Sequence, residues 1–179
     1  MRARFFRFLL RHMKEHVPGW IRCLALQILL NTTAEAFEVP AVRVLGMKPE
    51  GALRIYRAFT KECMQKSAAD GKRLYDHAYA LGQRVRKTTG FREQRDLEEL
   101  VFWLYRQIGI RMSGQIPGDI TVSACAFSCA YTPDECRFMS NMDAGIIAGI
   151  CGKGQLVFTE RLTEGCKCCR ACFQEEKSV

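Results

Sequence analysis

Thr132-Pro133-Asp134-Glu135-Cys136 at one end and Cys151-Gly152-Lys153-Gly154 at the other bracket one helix, and that helix decides the fold of the C-terminal third. Thr132 and Glu135 form a capping-box pattern, in which the Thr hydroxyl accepts from the amide of the third helical residue and the Glu carboxylate reaches back to the cap. Pro133 then stands at the first helical position, where its missing N–H is not needed. Gly152 marks the stop, because the chain beyond a helix commonly enters a backbone region that a β-carbon disfavours. Inside the helix, Gly145 and Gly149 share a face with Phe138, Met142 and Ile146, and this face is predicted to lie close against a sheet. Asp143 falls on the neighbouring stripe with Cys136, Ser140 and Ile147, an acid among thiol and apolar neighbours.

The flanking segments alternate as strands do. Residues 120–129 place Thr121, Ser123, Cys125, Phe127 and Cys129 on one face and Ile120, Val122, Ala124 and Ala126 on the other. Residues 155–162 set Leu156, Phe158 and Glu160 on one side. After a turn at Glu164-Gly165, residues 167–173 return with Cys169, Ala171 and Phe173 on one face and Cys166, Cys168 and Cys172 on the other. A short strand at 110–113 completes a β-β-α-β-β unit. Upstream, the 3.6-residue periodicity predicts helices over 2–17, 21–30, 34–45 with an interruption at Pro40, 49–87 with a break near Gly71, and 92–108. The fold class is therefore α+β: a helical N-terminal two thirds, residues 1–109, followed by the β-β-α-β-β part, residues 110–179, in a single domain.

The chain has 179 residues, ten of them cysteine, and a net charge of +8. No apolar run reaches about 18 residues, so no membrane span is predicted. The apolar stretch 5–10 is broken by Arg7 and lacks a small-residue cleavage site, which leaves a reducing cytoplasm and mostly free thiols as the expected setting. The basic residues neither interleave with exposed aromatics nor fall into a zinc-finger, helix-turn-helix or RNP pattern, so a nucleic-acid partner is not expected. A basic surface that attracts a small-molecule anionic substrate is the expected use of the charge. In the first helix Phe5, Phe6, Leu9, Leu10 and Met13 oppose Arg2, Arg4, Arg7 and Arg11. This face is expected to pack on the body of the protein or on a second subunit, giving a homodimer, in preference to an anionic membrane surface. His12 and His16 read as a solvated pair and His77 as a structural histidine.

The chemistry concentrates in the C-terminal unit. Cys136 sits in the first turn of the capped helix, where the backbone dipole favours a thiolate. Cys129, Cys136, Asp143, Glu160 and Cys169 are expected to converge on one side of the helix and sheet. Cys129 or Cys136 is then the nucleophile, and Asp143 moves protons or activates water. A separate grouping, Cys166, Cys168 and Cys172, could hold a soft metal with a ligand from elsewhere.

The segments Cys129-Ala-Tyr-Thr-Pro-Asp-Glu-Cys136-Arg-Phe, Met142-Asp143, Phe158-Thr159-Glu160-Arg161-Leu162-Thr163-Glu164-Gly165, and then Cys169 and Phe173, resemble the L-2-amino-thiazoline-4-carboxylic acid hydrolase family over about the last fifty residues. That resemblance implies hydrolytic opening of a cyclic amidine to an S-carbamoyl cysteine. The chain departs from the family ending where two acids are replaced, leaving Gly165-Cys166 and Cys169-Arg170-Ala171. The same unit is similar in outline to the 4-vinyl reductase ligand-binding domain, which implies a non-catalytic small-molecule or metal-binding sensor. Its usual ligand set would leave Cys136, Glu160 and Cys169 for zinc or iron, because Thr163 stands where a further cysteine is usual.

Overall fold

The computed structural model describes residues 2–13, 17–66, 70–152 and 154–176. Among them the order is α1 (Arg2–His12), α2 (Gly19–Phe37), α3 (Pro49–Lys66), α4 (Gly71–Thr89), α5 (Gln94–Gln107), β1 (Ile110–Gly114), β2 (Gly118–Cys125), α6 (Pro133–Cys151), β3 (Gly154–Glu160) and β4 (Cys169–Glu175). The class is α+β, with helices gathered in the N-terminal part and an antiparallel sheet of order β1-β2-β4-β3 in the C-terminal part.

Helix α6 begins as its sequence dictates. Thr132 Oγ1 accepts from the Glu135 amide at 3.2 Å, and the Thr132 amide donates to Glu135 Oε2 at 2.8 Å. Such a cap is worth about 1 kcal/mol. Gly152 closes the helix at φ 139°, with its amide bonded to Ala148 O. The glycine face, however, packs on a helix and not on the sheet. A β-carbon at Gly145 would strike the Tyr75 carbonyl, and one at Gly149 the Tyr79 carbonyl, while Gly82 on α4 lies against Ile146 and Gly149 in return. Small residues four apart allow two helix backbones to approach, and here the second backbone is α4.

The sheet turns one face to the core through Ile120, Val122, Cys169, Ala171 and Phe173, all buried. Two bulges then reset the alternation. On β2, Met112 pairs with Val122 but Arg111 with Ala124, so Ser123 is the extra residue. Cys125 therefore faces inward with Val122, and not outward with Thr121. On β3, Phe158 pairs with Ala171 but Glu160 with Arg170, so Thr159 is extra and Glu160 turns outward. A one-residue slip exchanges the faces of everything beyond it.

In the helical part, α2 does not stop near residue 30. It continues through Ala34 to Phe37, and Glu38 at φ 55° ends it with its amide bonded back to the last turn. No helix forms over 39–45, because Pro40 cannot donate to the ladder. Residues 38–48 instead run as a strap beside α2, held by Gln27, whose amide donates to Val42 O at 2.9 Å and whose Oε1 accepts from Val44 N at 2.7 Å. Cys23 adds a bond to Met47 O at 3.1 Å.

Helix α1 packs on the body of its own chain. Leu10 is buried, Phe6 meets Phe91 edge-on, and the Arg7 guanidinium is paired with Asp96 at 2.7 Å and Glu93 at 2.9 Å. Of the apolar face that the sequence offers, Phe6 and Leu10 are engaged within the chain. The side chains of Arg2, Phe5, Leu9 and Arg11, and all of Lys14, Glu15 and His16, lie outside the described residues. No helix among the described residues is long and apolar enough to cross a membrane.

Candidate functional site

A cavity of about 150 Å³ lies between α2, α4, α5, α6 and the start of the sheet. Its walls are mainly hydrocarbon, including Leu29, Leu81, Ile110, Phe127, Met139 and Ile146. Six polar side chains interrupt them: Asp143, Tyr105, Tyr56, Cys125, Cys136 and Tyr131, the last beside Phe127. No Lys, Arg or His is among the residues lining it. An empty space of this size in an apolar setting accommodates roughly one aromatic ring.

Asp143 is brought here by its place on α6, two turns beyond Cys136. Tyr105, from the last turns of α5, donates to Asp143 Oδ1 at 3.0 Å. Burial pushes the Asp143 carboxyl up to about 6, and the Tyr105 hydrogen bond and the Arg161 charge oppose that rise. The Tyr105 phenol is itself held well above its ordinary value, first by burial and then by the Asp143 charge. At neutral pH this pair is a carboxylate that accepts from a phenol.

Cys136 lines the same cavity from the first turns of α6. Behind it lies Arg161, whose guanidinium donates to Ser140 Oγ at 2.7 Å, approaches Cys136 Sγ at 4.0 Å and covers the Phe158 ring at 4.2 Å. A cation over an aromatic face and against a hydroxyl is fixed in place. Cys169 is buried close by and accepts from the Leu162 amide at 3.3 Å; its thiol is raised by burial, and also by the charge of Cys136. Cys125, turned inward by the Ser123 bulge, is pushed up to about 12 by burial, which makes it an unreactive wall residue.

Of the residues singled out in the sequence, Cys136 and Asp143 share the cavity, with Cys169 near Cys136. Cys129 does not join them: it is exposed in the turn after β2, where its thiol bonds Ala126 O at 3.6 Å. Strand β2 ends at Cys125, so the alternation that would have carried Cys129 inward never reaches it. Glu160 faces outward in an ion pair with Arg170 at 3.2 Å, so Cys136, Glu160 and Cys169 do not form a ligand set. Cys166 and Cys168 precede β4 in a turn and Cys172 sits on its outer face opposite Asp119 and Val157. Among the described residues no three His, Cys, Asp or Glu side chains come together in a way that could hold a metal ion. No disulfide joins any of the ten cysteines.

Tyr105, Tyr56, Cys125 and Arg161 are the site residues the sequence reading misses. Tyr105 lies on the apolar stripe of α5 and carries no sign that its hydroxyl meets an acid. His12 bonds Phe8 O at 2.9 Å through Nδ1, and His77 stands 3.6 Å from Glu35, both away from the cavity.

Four of the wall residues, Ile28, Leu81, Val85 and Leu104, also line a groove of about 520 Å³ that α1 borders with Phe6 and Leu10. The partition between the cavity and this groove is aliphatic side chain only. No protein-family model matches the chain, and neither a curated protein nor a solved structure matches it.

Proposed function

We propose that the chain binds a small, ring-bearing molecule in the cavity and presents Asp143 to an N–H or cationic nitrogen of that molecule. One observation carries the reading: a carboxylate held by Tyr105 at 3.0 Å on the wall of a hydrocarbon cavity of about 150 Å³ with no cation in its lining. A buried carboxylate calls for a donor, and Tyr105 provides for one oxygen; a protonated amine or amidine provides for the other. The apolar walls supply the remaining affinity through burial, at about 25 cal/mol per Å². Basic, flat and small are the properties such a ligand needs. The anionic substrate expected from the surface charge is a poorer fit to this lining.

The test is a pair of single-ring ligands, one bearing an amidinium and one a methyl group, benzamidine and toluene, followed by calorimetry or thermal shift at pH 7.5. Benzamidine is expected to bind at least tenfold more tightly than toluene, with the preference lost in Asp143→Asn. Equal binding of the two, or binding of neither, overturns the proposal.

A second reading keeps the cavity and adds chemistry to it, as a hydrolase of a cyclic amidine resembling the aminothiazoline carboxylate enzymes. It is favoured by Cys136, which lines the same space as Asp143 and has the Arg161 guanidinium behind it at 4.0 Å. In this reading water, giving its proton to Asp143, adds to the amidine carbon as the C=N π bond opens, and the ring C–N bond breaks as that proton passes to the leaving nitrogen; where Cys136 adds first, water then displaces it. Turnover of an aminothiazoline that disappears in Cys136→Ala, with benzamidine binding retained, separates it from binding alone.

A further inference from the structure

Eight large hydrophobic side chains are substantially exposed among the described residues, and five of them belong to one end of α2 and to the strap beside it: Trp20 and Leu24 on α2, and Val42, Leu45 and Met47 on the strap. Scattered apolar residues need no explanation, but a contiguous group does. Trp20 and Leu24 stand four apart, so they share an outward stripe on a helix whose other sides are buried through Cys23, Leu26, Leu29 and Leu30. A helix that is apolar on every side ordinarily has every side covered.

The strap shows that the exposure is built. Its backbone is tied to α2 by Gln27 and Cys23, and Val44 alone among its large side chains is fully buried, at 0 % exposure. Val42, Leu45 and Met47 are left facing outward at 41, 43 and 41 % exposure, next to Trp20 at 67 %. Trp20, Leu24, Leu45 and Met47 surround a hollow of about 510 Å³.

The charge lining the hollow is basic, and the acids nearby are each set against a base. Arg43 and Lys48 are exposed within the strap, Lys48 at the hollow itself. The acids of the same stretch, Glu35 and Glu38, lie at the far end of α2 and stand against His77 at 3.6 Å and Arg73 at 2.5 Å. Glu50 is the nearest acid after the strap and faces Arg22 at 3.7 Å. Two copies of the chain docked through this face would bring Arg43 and Lys48 of each to a shared rim, a repulsive arrangement. An exposed Trp beside Leu and Met, rimmed by bases, matches the membrane interface, where indole prefers the headgroup level and bases meet anionic lipid.

We infer that this face is a docking surface for an anionic lipid membrane, with Trp20, Leu24, Leu45 and Met47 entering the headgroup region and Arg43 and Lys48 lying against the lipid anions. The contact is peripheral. It is made by α2 and the strap, and it leaves the cavity and its ligand unaffected.

The experiment is co-sedimentation of the full chain with phosphatidylserine–phosphatidylcholine vesicles and with phosphatidylcholine vesicles, read alongside tryptophan emission. Partition onto the anionic vesicles is expected, weakened by added salt, with a blue shift that is missing in Trp20→Phe. Arg43→Gln combined with Lys48→Gln is expected to lower the partition coefficient roughly 30-fold, at about 1 kcal/mol per base. Leu24→Ser with Leu45→Ser should lower it as well while circular dichroism stays unchanged. Absence of partition overturns the inference, as does partition unaltered in both double variants. A blue shift that grows with protein concentration and needs no vesicles also overturns it, and assigns the face to a second copy.

Discussion

Tyr105 and Asp143 meet across the boundary between the helical part and the β-β-α-β-β unit, a phenol from α5 donating to a carboxylate on α6 at 3.0 Å. They are 38 residues apart in sequence, and neither is polar by necessity where it stands. Replacing both with apolar residues would fill the site, so the pair is better explained by what it can receive than by what it holds together.

The protonation of Asp143 gives the first prediction. Its carboxyl rises from an ordinary 3.8 to about 6 on folding, chiefly through burial. Between those two values the folded chain holds a proton that the unfolded chain has released. Stability from this group is therefore greatest at low pH, falls as pH rises from about 4 to 6, and is level above that. That rise of the carboxyl corresponds to about 3 kcal/mol. Urea midpoints of the parent and Asp143→Asn, taken from pH 4 to 8, should differ by that slope, with Asn relatively more stable above pH 6. Parallel curves would show that the carboxyl is not desolvated.

Tyr105→Phe tests the partner. Removing the donor leaves a buried carboxylate oxygen with nothing to accept from, at a cost of about 1–3 kcal/mol near neutral pH. Because that hydrogen bond lowers the Asp143 carboxyl, its loss should move the titration upward, which carbon NMR of the labelled carboxyl can follow. A titration that stays in place would show that the bond does not form in solution.

Much of this arrangement is legible in the residues. Thr132, Pro133 and Glu135 fix where α6 starts, and Gly152 where it ends, because each of these residues acts within one helical turn. The inward set Cys169, Ala171 and Phe173 is legible for a similar reason, since β4 keeps an unbroken period of two. The faces of Cys125 and Glu160 are not legible. Each depends on a bulge, at Ser123 and Thr159, and a bulge is set by pairing with another strand and not by the strand's own alternation. The strap 38–48 was hidden for another reason: Gln27, eleven residues before Glu38, supplies the two bonds that hold it, and nothing local announces them. The packing of Gly145 and Gly149 on α4 shows the same boundary, for the close approach is legible and the identity of the partner is not.

The thiols should separate by reactivity. Cys129 is exposed, whereas Cys125 and Cys151 are pushed up to about 12 by burial and Cys23 and Cys63 are buried. Site-resolved mass spectrometry after brief maleimide treatment at pH 7 should find Cys129 labelled well before Cys125 or Cys151. Benzamidine in the cavity should protect Cys136 and leave Cys129 untouched, because only the former lines that space. Equal protection of the two would place the ligand somewhere else.

One substitution type should give opposite signs at two helical positions. Gly145 lies where α6 presses on α4: a β-carbon there would strike the Tyr75 carbonyl and sit 2.8 Å from Ala78 Cβ. Backbone cannot rotate aside as a side-chain tip can, so Gly145→Ala must push the helices apart, at about 1–3 kcal/mol. Gly51 is also inside a helix, α3, but a β-carbon there would meet only Met47 Cε, at an ordinary 3.6 Å. With no clash, the lower chain entropy of alanine dominates, and Gly51→Ala should stabilise by about 0.4–1 kcal/mol. Chemical denaturation of the two variants measures both. A stabilised Gly145→Ala would mean that α4 and α6 stand further apart than described, and the cavity between them would then be wider than one ring.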